Sequence, residues 1–419
     1  MAKNYPLDAA HTIEGVWWRP SHEDDTVAGT LVYDPETGLR LRLIGALGDI
    51  EEVLGRVNAP GGSETLHGVS TDGRSVTLLK AVHASANLSF PGMIVEEYVA
   101  VWALIGNHVV DIDAAEFFRS ETAFDGLAEW LARDAIERTV ETEPRRITLV
   151  AEPKPKWVLG TVDDFTVFAD MVLNWDDDRL TRSALTVSNS LGVETAEARS
   201  LQWHIDRLAR LNRLVALCTG RHLSWRSIWL SAGERSLEGG GKVQNRIDVL
   251  VQLNGQSQTK RENDPPIYSA KELVAANDQA MARWFAVADD LEPVIDLFFT
   301  VLSDRGLPLE AAFLLTAQAV EVHHRRTGAS VIIPAADYDA MREAMIAGIP
   351  DDAPAAMREK LEGSLSFANE PSLGQRLRAI VERMSEDFGA RPFGFDPARI
   401  RAAVNTRNYY THYSPKLET

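Results

Sequence analysis

TVAGTLVYDPETGLRLRLIG, residues 26–45, is two runs of alternating apolar and polar side chains set around Asp34-Pro35-Glu36-Thr37-Gly38. Alternation at period two is what a half-buried strand requires, and Asp, Pro and Gly supply the turn chemistry. The stretch predicts a β-hairpin. TLHGVSTDGRSVTLLKAV (65–82) repeats the pattern around Thr71-Asp72-Gly73, and MIVEEYVAVWALIG (93–106) predicts one or two more strands. The first hundred or so residues are therefore expected to form an antiparallel sheet, a sandwich or a partial barrel. AAEFFRSETAFDGLAEWLARDAI (114–136) reads as helical.

A second β-rich stretch opens near Arg146. RITLVAEP, FTVFADMVLNW and SALTVSNSLGVET alternate, and HLSWRSIWLSAG and NRIDVLVQLNG predict further strands. Between them a helix is expected from about Glu194 to Leu217, because Leu201, Ile205, Leu208, Leu211 and Val215 recur near period 3.6 and Gly220 follows. From about Ala275 the pattern changes. QAMARWFAVADDLEPVIDLFFTVL (279–302) reads as one amphipathic helix, and LPLEAAFLLTAQAVEVHHRRTG (307–328) as another, closed by Gly328. Residues 335–361 predict one or two helices broken by Pro350 and Pro354, and SLGQRLRAIVERMSEDFG one closed by Gly389. DPARIRAAVNTRNYYTHYSP is the last, with Asp396 as N-cap, Pro397 at the first helical position and Pro415 ending it. The chain has ten tryptophans and none follows Trp284, which marks the strongest composition shift. The expected fold class is α+β and multidomain: a β-rich N-terminal domain (1–145), a second β-rich part with a central helix (146–274), and an all-α C-terminal bundle (275–419).

Composition narrows the function. The 419 residues are 45% hydrophobic and 25% charged, the balance of a soluble globular protein. No apolar run approaches the roughly 18 residues that span a bilayer. The start MAKNYPLDAAHTIEG lacks the apolar core of a secretory signal, so a cytoplasmic protein with no membrane partner is expected. The single cysteine, Cys218, excludes a disulfide framework and a cysteine-rich zinc site within the chain. The formal net charge of -18, from 43 Lys+Arg against 61 Asp+Glu, repels polyanions at long range, so nucleic acid would be bound only at a local basic site.

Most motifs have a bland reading that outweighs a chemical one. The loop Gly239–Lys242 lacks the spacing of a phosphate loop, with Ser236 where a glycine is needed and Val243 where Ser or Thr would hold magnesium. Asp176-Asp177-Asp178 and Asp163-Asp164 read as solvated turns rather than cation sites. Trp17 and Trp18 point to opposite faces of a strand, one into the core and the other partly exposed, against the alternative of a stacking platform. Adjacent His323 and His324 diverge on a helix, which suits surface or interface histidines better than metal ligands, and Glu321 is placed for a local ion pair with Arg325.

RNYYTH, residues 407–412, is different. Arg407 and His412 sit near the end of a helix with no packing reason to be there, and Arg401 and Lys416 add positive charge. Arg and His are sufficient to cut RNA. A guanidinium grips a phosphate through two bonds and stabilises charge in the transition state, and an imidazole titrates near neutrality. RNA brings its own nucleophile, the 2′-hydroxyl, so neither cofactor nor metal is needed. His412 lies at a helix C-terminus, where the dipole favours a cation. The pair alone does not assign acid against base.

With Asn408 following Arg407, this spacing resembles the signature of HEPN domains: Arg, four to six residues, then His, with a polar residue after the Arg. LLTAQAVEVHHRR resembles the corresponding helix of the ApeA-type branch, apart from Val322 and His323. GVWWRP (15–20) and LHGVSTDGRSVTLLKA resemble the β-rich N-terminal domain of ApeA-like abortive-infection proteins. The resemblance implies a metal-independent endoribonuclease of anti-phage defence, acting as a dimer whose two Arg–His motifs build one composite site. Arg407 would polarise the scissile phosphate, His412 act as general acid/base and Asn408 orient groups in the site. Arg401, Lys416 and Tyr409 are candidate substrate contacts. The expected partners are RNA, a second copy of the chain and a phage-derived trigger sensed by the β-domains. The competing reading is a non-catalytic HEPN-type dimerisation or binding module with a ligand- or protein-sensing β-domain.

Overall fold

The computed structural model describes residues 4–58, 61–88, 91–114, 116–178, 180–236, 242–253, 265–303, 306–388 and 397–413. Gly239–Gly241, Gly389, Asp396, Pro415 and Lys416 lie outside them. The chain divides into two compact units, residues 1–285 and 286–419.

The first unit is β-rich, as expected. Its strands are β1 (His11–Trp18), β2 (Val27–Asp34), β3 (Gly38–Ile44), β4 (Glu64–Ser70), β5 (Ser75–Leu88), β6 (Ile94–Ala100), β7 (Trp102–Ile105), β8 (Phe117–Phe124), β9 (Ile136–Thr142), β10 (Arg145–Ala151), β11 (Trp157–Val162), β12 (Phe165–Asp177), β13 (Ser183–Arg199), β14 (Trp225–Ser236) and β15 (Lys242–Val251). Its helices are α1 (Ile50–Asn58), α2 (Leu127–Leu131), α3 (Leu201–Thr219) and α4 (Ala270–Ala276), and α5 (Ala280–Ala288) crosses the boundary between units.

Thirteen strands form one sheet in the order β11-β12-β13-β8-β14-β15-β7-β5-β4-β1-β2-β3-β6. It takes strands from both sides of residue 145. The far half of β5 also pairs with β6, from Val82↔Val99 to Leu88↔Ile94, so six strands close into a barrel. Closure removes the free edges there. Trp17 is fully buried, and its indole lies over Gly68 of β4, where a Cβ would come within 2.4 Å of Cε3. Trp18, half-buried on the other face, meets the edges of His67 and His108. α1 is tied to the barrel by Arg56, which donates to the fully buried Glu96 at 2.8 Å.

The open part of the sheet is covered by α3. Ser200 caps it by accepting from Trp203 N at 3.3 Å, and Gly220 closes it at φ 65°, a conformation that costs glycine little. Strand β13 runs to Arg199, so the helix starts later than the expected Glu194. His204 reaches the sheet from α3, its ring nitrogens 2.9 Å from Ser120 Oγ and 3.0 Å from the Phe117 carbonyl. The helix predicted over 114–136 is a correction. Phe117–Phe124 is the strand β8, inside the sheet between β13 and β14, and only Leu127–Leu131 is helical. Both faces of β8 are largely buried, so the period-two signal that would have announced it is missing.

The second unit is helical: α6 (Glu292–Ser303), α7 (Leu309–Thr327), α8 (Ala335–Ala347), α9 (Ala355–Ser366), α10 (Leu373–Phe388) and α11 (Pro397–His412). The stretch 279–302 is two helices, not one, broken before Glu292-Pro293, because proline suits the first turn of a helix and not its interior. α7 packs against α6, α10 and α11, and α10 against α11. α10 starts with reciprocal caps, Ser372 N donating to Gln375 Oε1 at 2.8 Å and Gln375 N to Ser372 Oγ. Asn369 ties the segment before α8 to the approach to α10, bonding both the N–H and the carbonyl of Ile333 at 3.0 Å.

Candidate active site

Three helices position the Arg–His motif. α11 carries it, α7 supplies an acidic partner, and α10 supplies a buried cation. Arg407, partly buried, donates to Asn408 Oδ1 at 3.3 Å and lies 3.7 Å from Glu321 Oε2 on α7. Glu321 Oε1 holds Arg325 at 3.2 Å, the local pair its i,i+4 spacing predicts. Arg325 reaches on to Glu370 at 3.0 Å, and Glu370 lies 3.6 Å from Arg376 of α10. Five charges thus alternate in sign from Arg407 to Arg376. Each guanidinium end carries positive charge, giving a local excess of one cation in an acidic chain.

Arg376 anchors this chain. It is 1% exposed, donates to the Pro371 carbonyl at 2.9 Å, and lies 3.3 Å from His324 Nδ1. Burial, reinforced by Arg325, lowers its affinity for a proton, while Glu321 and Glu370 oppose this. His324 is held below its ordinary value first by burial and then by Arg376 and His323. Burial and Arg383 do the same to His323. His324 therefore corrects the expectation of a surface histidine: it is buried at the end of α7 and faces a cation.

Arg407 and His412 project differently. At 3.6 residues per turn, five positions separate two side chains by roughly 140° around a helix. Arg407 turns toward α7, and His412 is exposed at the end of α11. Asn408, four positions before His412, shares its side of the helix. Arg401 is exposed on α11. Tyr409, Tyr410 and Tyr413 meet edge to face with centroids 5.2 to 6.4 Å apart, and Tyr413 ends the helix at φ 47°. Tyr409 and Tyr410 are half-buried and Tyr413 exposed.

The residues missed in the sequence are Arg376, Glu370 and the reach of Glu321 to Arg407. Arg376 had a signal. It falls on the stripe of Leu373, Leu377 and Ile380, where an apolar residue is expected. The other acidic motifs are structural. Asp164 pairs with Arg199, and Asp176 with Arg182 at 3.2 Å. Among the described residues no group of three or more His, Cys, Asp or Glu is arranged to hold a metal ion, and no helix is long and apolar enough to cross a membrane.

The model of the ApeA N-terminal domain 1 matches residues 12–284, ending where the first compact unit ends. The Apea-like HEPN model matches residues 314–419, within the second unit and over all of the Arg–Glu–Arg chain described above. No curated protein and no solved structure matches the chain. The chain belongs to the ApeA family, an ApeA N-terminal domain followed by an Apea-like HEPN domain.

Proposed function

We propose that the chain is an anti-phage defence endoribonuclease whose HEPN unit cuts RNA without a metal, under control of the N-terminal unit. The 2′-oxygen of the substrate attacks the adjacent phosphorus and the bond from phosphorus to the 5′-oxygen breaks. One proton leaves the 2′-hydroxyl and one is delivered to the 5′-oxygen. The products are a 2′,3′-cyclic phosphate and a 5′-hydroxyl. Arg407 holds the non-bridging phosphate oxygens, His412 moves the proton and Asn408 orients the groups between them. Tyr409 offers a ring to an unstacked base, and Arg401 and Lys416 supply charge along the backbone.

The observation that carries this reading is the divergence of Arg407 and His412 on α11. A site needing both on one phosphate is completed by a second copy. Phe298 and Phe299 on α6 and Leu314 and Leu315 on α7, two helices packed together, are only half-buried and favour such an assembly. Contact with Glu321 keeps Arg407 in place before substrate arrives. Together with the acidic net charge, this suits a dormant cytoplasmic enzyme released by a phage-derived trigger.

Growth after induced expression tests the reading, wild type beside His412→Ala, with RNA 5′ ends sequenced under phage challenge. Discrete new 5′-hydroxyl ends in wild type alone support it. No cleavage in either strain, with protection retained, would replace it with the binding-module reading.

A further inference from the structure

Arg407 is not the only guanidinium on the Glu321 carboxylate. Arg325 follows Glu321 by four positions in the last turn of α7, so the two share a face. Glu321 meets Arg325 with one oxygen and Arg407 with the other. The side chain of Glu321 is 20% exposed, against 35% for Arg407 and 49% for Arg325. The carboxylate is thus the most sheltered of the three, and both cations reach solvent.

Arg325 is held as well as exposed. Its Nη2 lies on Glu321 and its Nη1 on Glu370 at 3.0 Å, while the buried Arg376 offsets Glu370 from 3.6 Å. Three guanidiniums stand against two carboxylates. Contacts at both ends of the fork fix its direction before a ligand arrives, so less entropy is lost on binding. The last turn of a helix also favours a cation. Neighbouring arginines are engaged elsewhere. Arg326 donates to the Asp290 carbonyl at the approach to α6, and Arg383 of α10 lies 3.9 Å from Asp387.

The fork that fits a carboxylate also fits a phosphate. Two guanidiniums on long side chains, set on the two oxygens of one carboxylate, have a spacing that two successive phosphates of a strand can match. We propose that Arg325 is a second phosphate-binding residue of the Arg407 site: while Arg407 grips the scissile phosphate, Arg325 of the same copy grips the phosphate one nucleotide away. This rests on the nuclease reading and extends it to substrate choice. RNA with a phosphate beside the cut is preferred, so an internal linkage of a strand is a better substrate than a lone dinucleotide. Arg325 does not touch the reacting atoms. Its contact is equal in the ground and transition states, so it lowers KM and leaves kcat unchanged.

Cleavage of short RNAs tests the assignment, with full-length wild type, Arg325→Gln and Arg325→Lys purified from phage-challenged cells. The substrates are a dinucleotide with one phosphate, NpN, and the same dinucleotide with a further phosphate at its 5′ end, pNpN, or its 3′ end, NpNp. In wild type, one of the two phosphorylated forms is expected to have a KM about tenfold below that of NpN, the effect of one charge-assisted contact. Arg325→Gln is expected to lose that gain while cutting NpN with wild-type kcat and KM, and Arg325→Lys to keep part of it. On long RNA, log kcat/KM in Arg325→Gln is expected to fall less steeply with log salt, by about 0.7 in slope, the single-strand value for one phosphate. No gain in wild type from either phosphate, or a gain retained in Arg325→Gln, would overturn the assignment. So would an equal loss on NpN and on the phosphorylated forms, which is the mark of a structural role. Wild type that cuts none of these RNAs, long RNA included, would remove the nuclease reading and this inference with it.

Discussion

Glu321 on α7 holds Arg407 of the motif with one carboxylate oxygen, at 3.7 Å, and Arg325 with the other, at 3.2 Å. Both contacts are partly solvated, so each contributes only about 0–1 kcal/mol to stability. Their value lies in position. On the proposed reading, Glu321→Gln is expected to change the melting temperature little while lowering RNA cleavage by about ten- to a hundredfold, the effect of mis-orienting the Arg407 guanidinium by an ångström or so. Equal cleavage rates in wild type and Glu321→Gln would remove Glu321 from the site.

Arg376 is buried beside a histidine and a half-exposed carboxylate. Replacing it with alanine leaves the Pro371 carbonyl without its donor and Glu370 with Arg325 alone, and it empties a buried volume beside His324. A loss of about 2–3 kcal/mol is expected, below the cost of breaking a pair buried on both sides because Glu370 remains open to water. Urea unfolding followed by circular dichroism measures it. Arg376→Met, which keeps the volume, is expected to recover part of the loss.

His204 carries a pH signature. Burial, against the opposing bond to the Phe117 carbonyl, holds its imidazole down at about 4, below the ordinary value near 6.5. Between those values the unfolded chain binds the proton and the folded chain does not, so stability rises with pH. The contribution is present in full above pH about 6.5 and is lost progressively as pH falls to about 4, to the extent of roughly 3 kcal/mol. His204→Gln is expected to flatten that part of the stability profile. An unchanged slope between the two proteins would show that His204 does not titrate in this window.

The indole of Trp17 lies where a side chain on Gly68 would stand. Gly68→Ala is expected to destabilise the first unit by about 1–3 kcal/mol, because the barrel interior has no room to shift. Calorimetry checks it, with Gly73→Ala as a contrast. No atom lies within 4 Å of a Cβ at Gly73, but its φ of 81° is strained for alanine, so only the backbone term is felt there.

Local signals were enough for much of this protein. Alternation announced β2 and β3, because each has one wetter and one drier face, whereas β5 is buried on both faces over Val76–Leu79 and β12 is exposed on both beyond Met171. Gly220 was legible as the end of α3, but the cap at Ser200 was not, since β13 runs into the helix without a break. RNYYTH stood out as a candidate for chemistry because it sets an arginine and a histidine near a helix end. What remained hidden depends on partners distant in sequence. β8 lies inside the sheet between β13 and β14, largely buried on both faces, and shows no period to read. Barrel closure rests on β5 pairing with β4 and β7 in one half and β6 in the other, a choice made by twist and register among strands that all look alike locally. The composition and periodicity of the last third determined that it is helical and which residue types it offers for chemistry. Only the packing of α7, α10 and α11 decided that Glu321 meets Arg407 and that Arg376 is buried, because a helix face names no partner until another helix is laid against it.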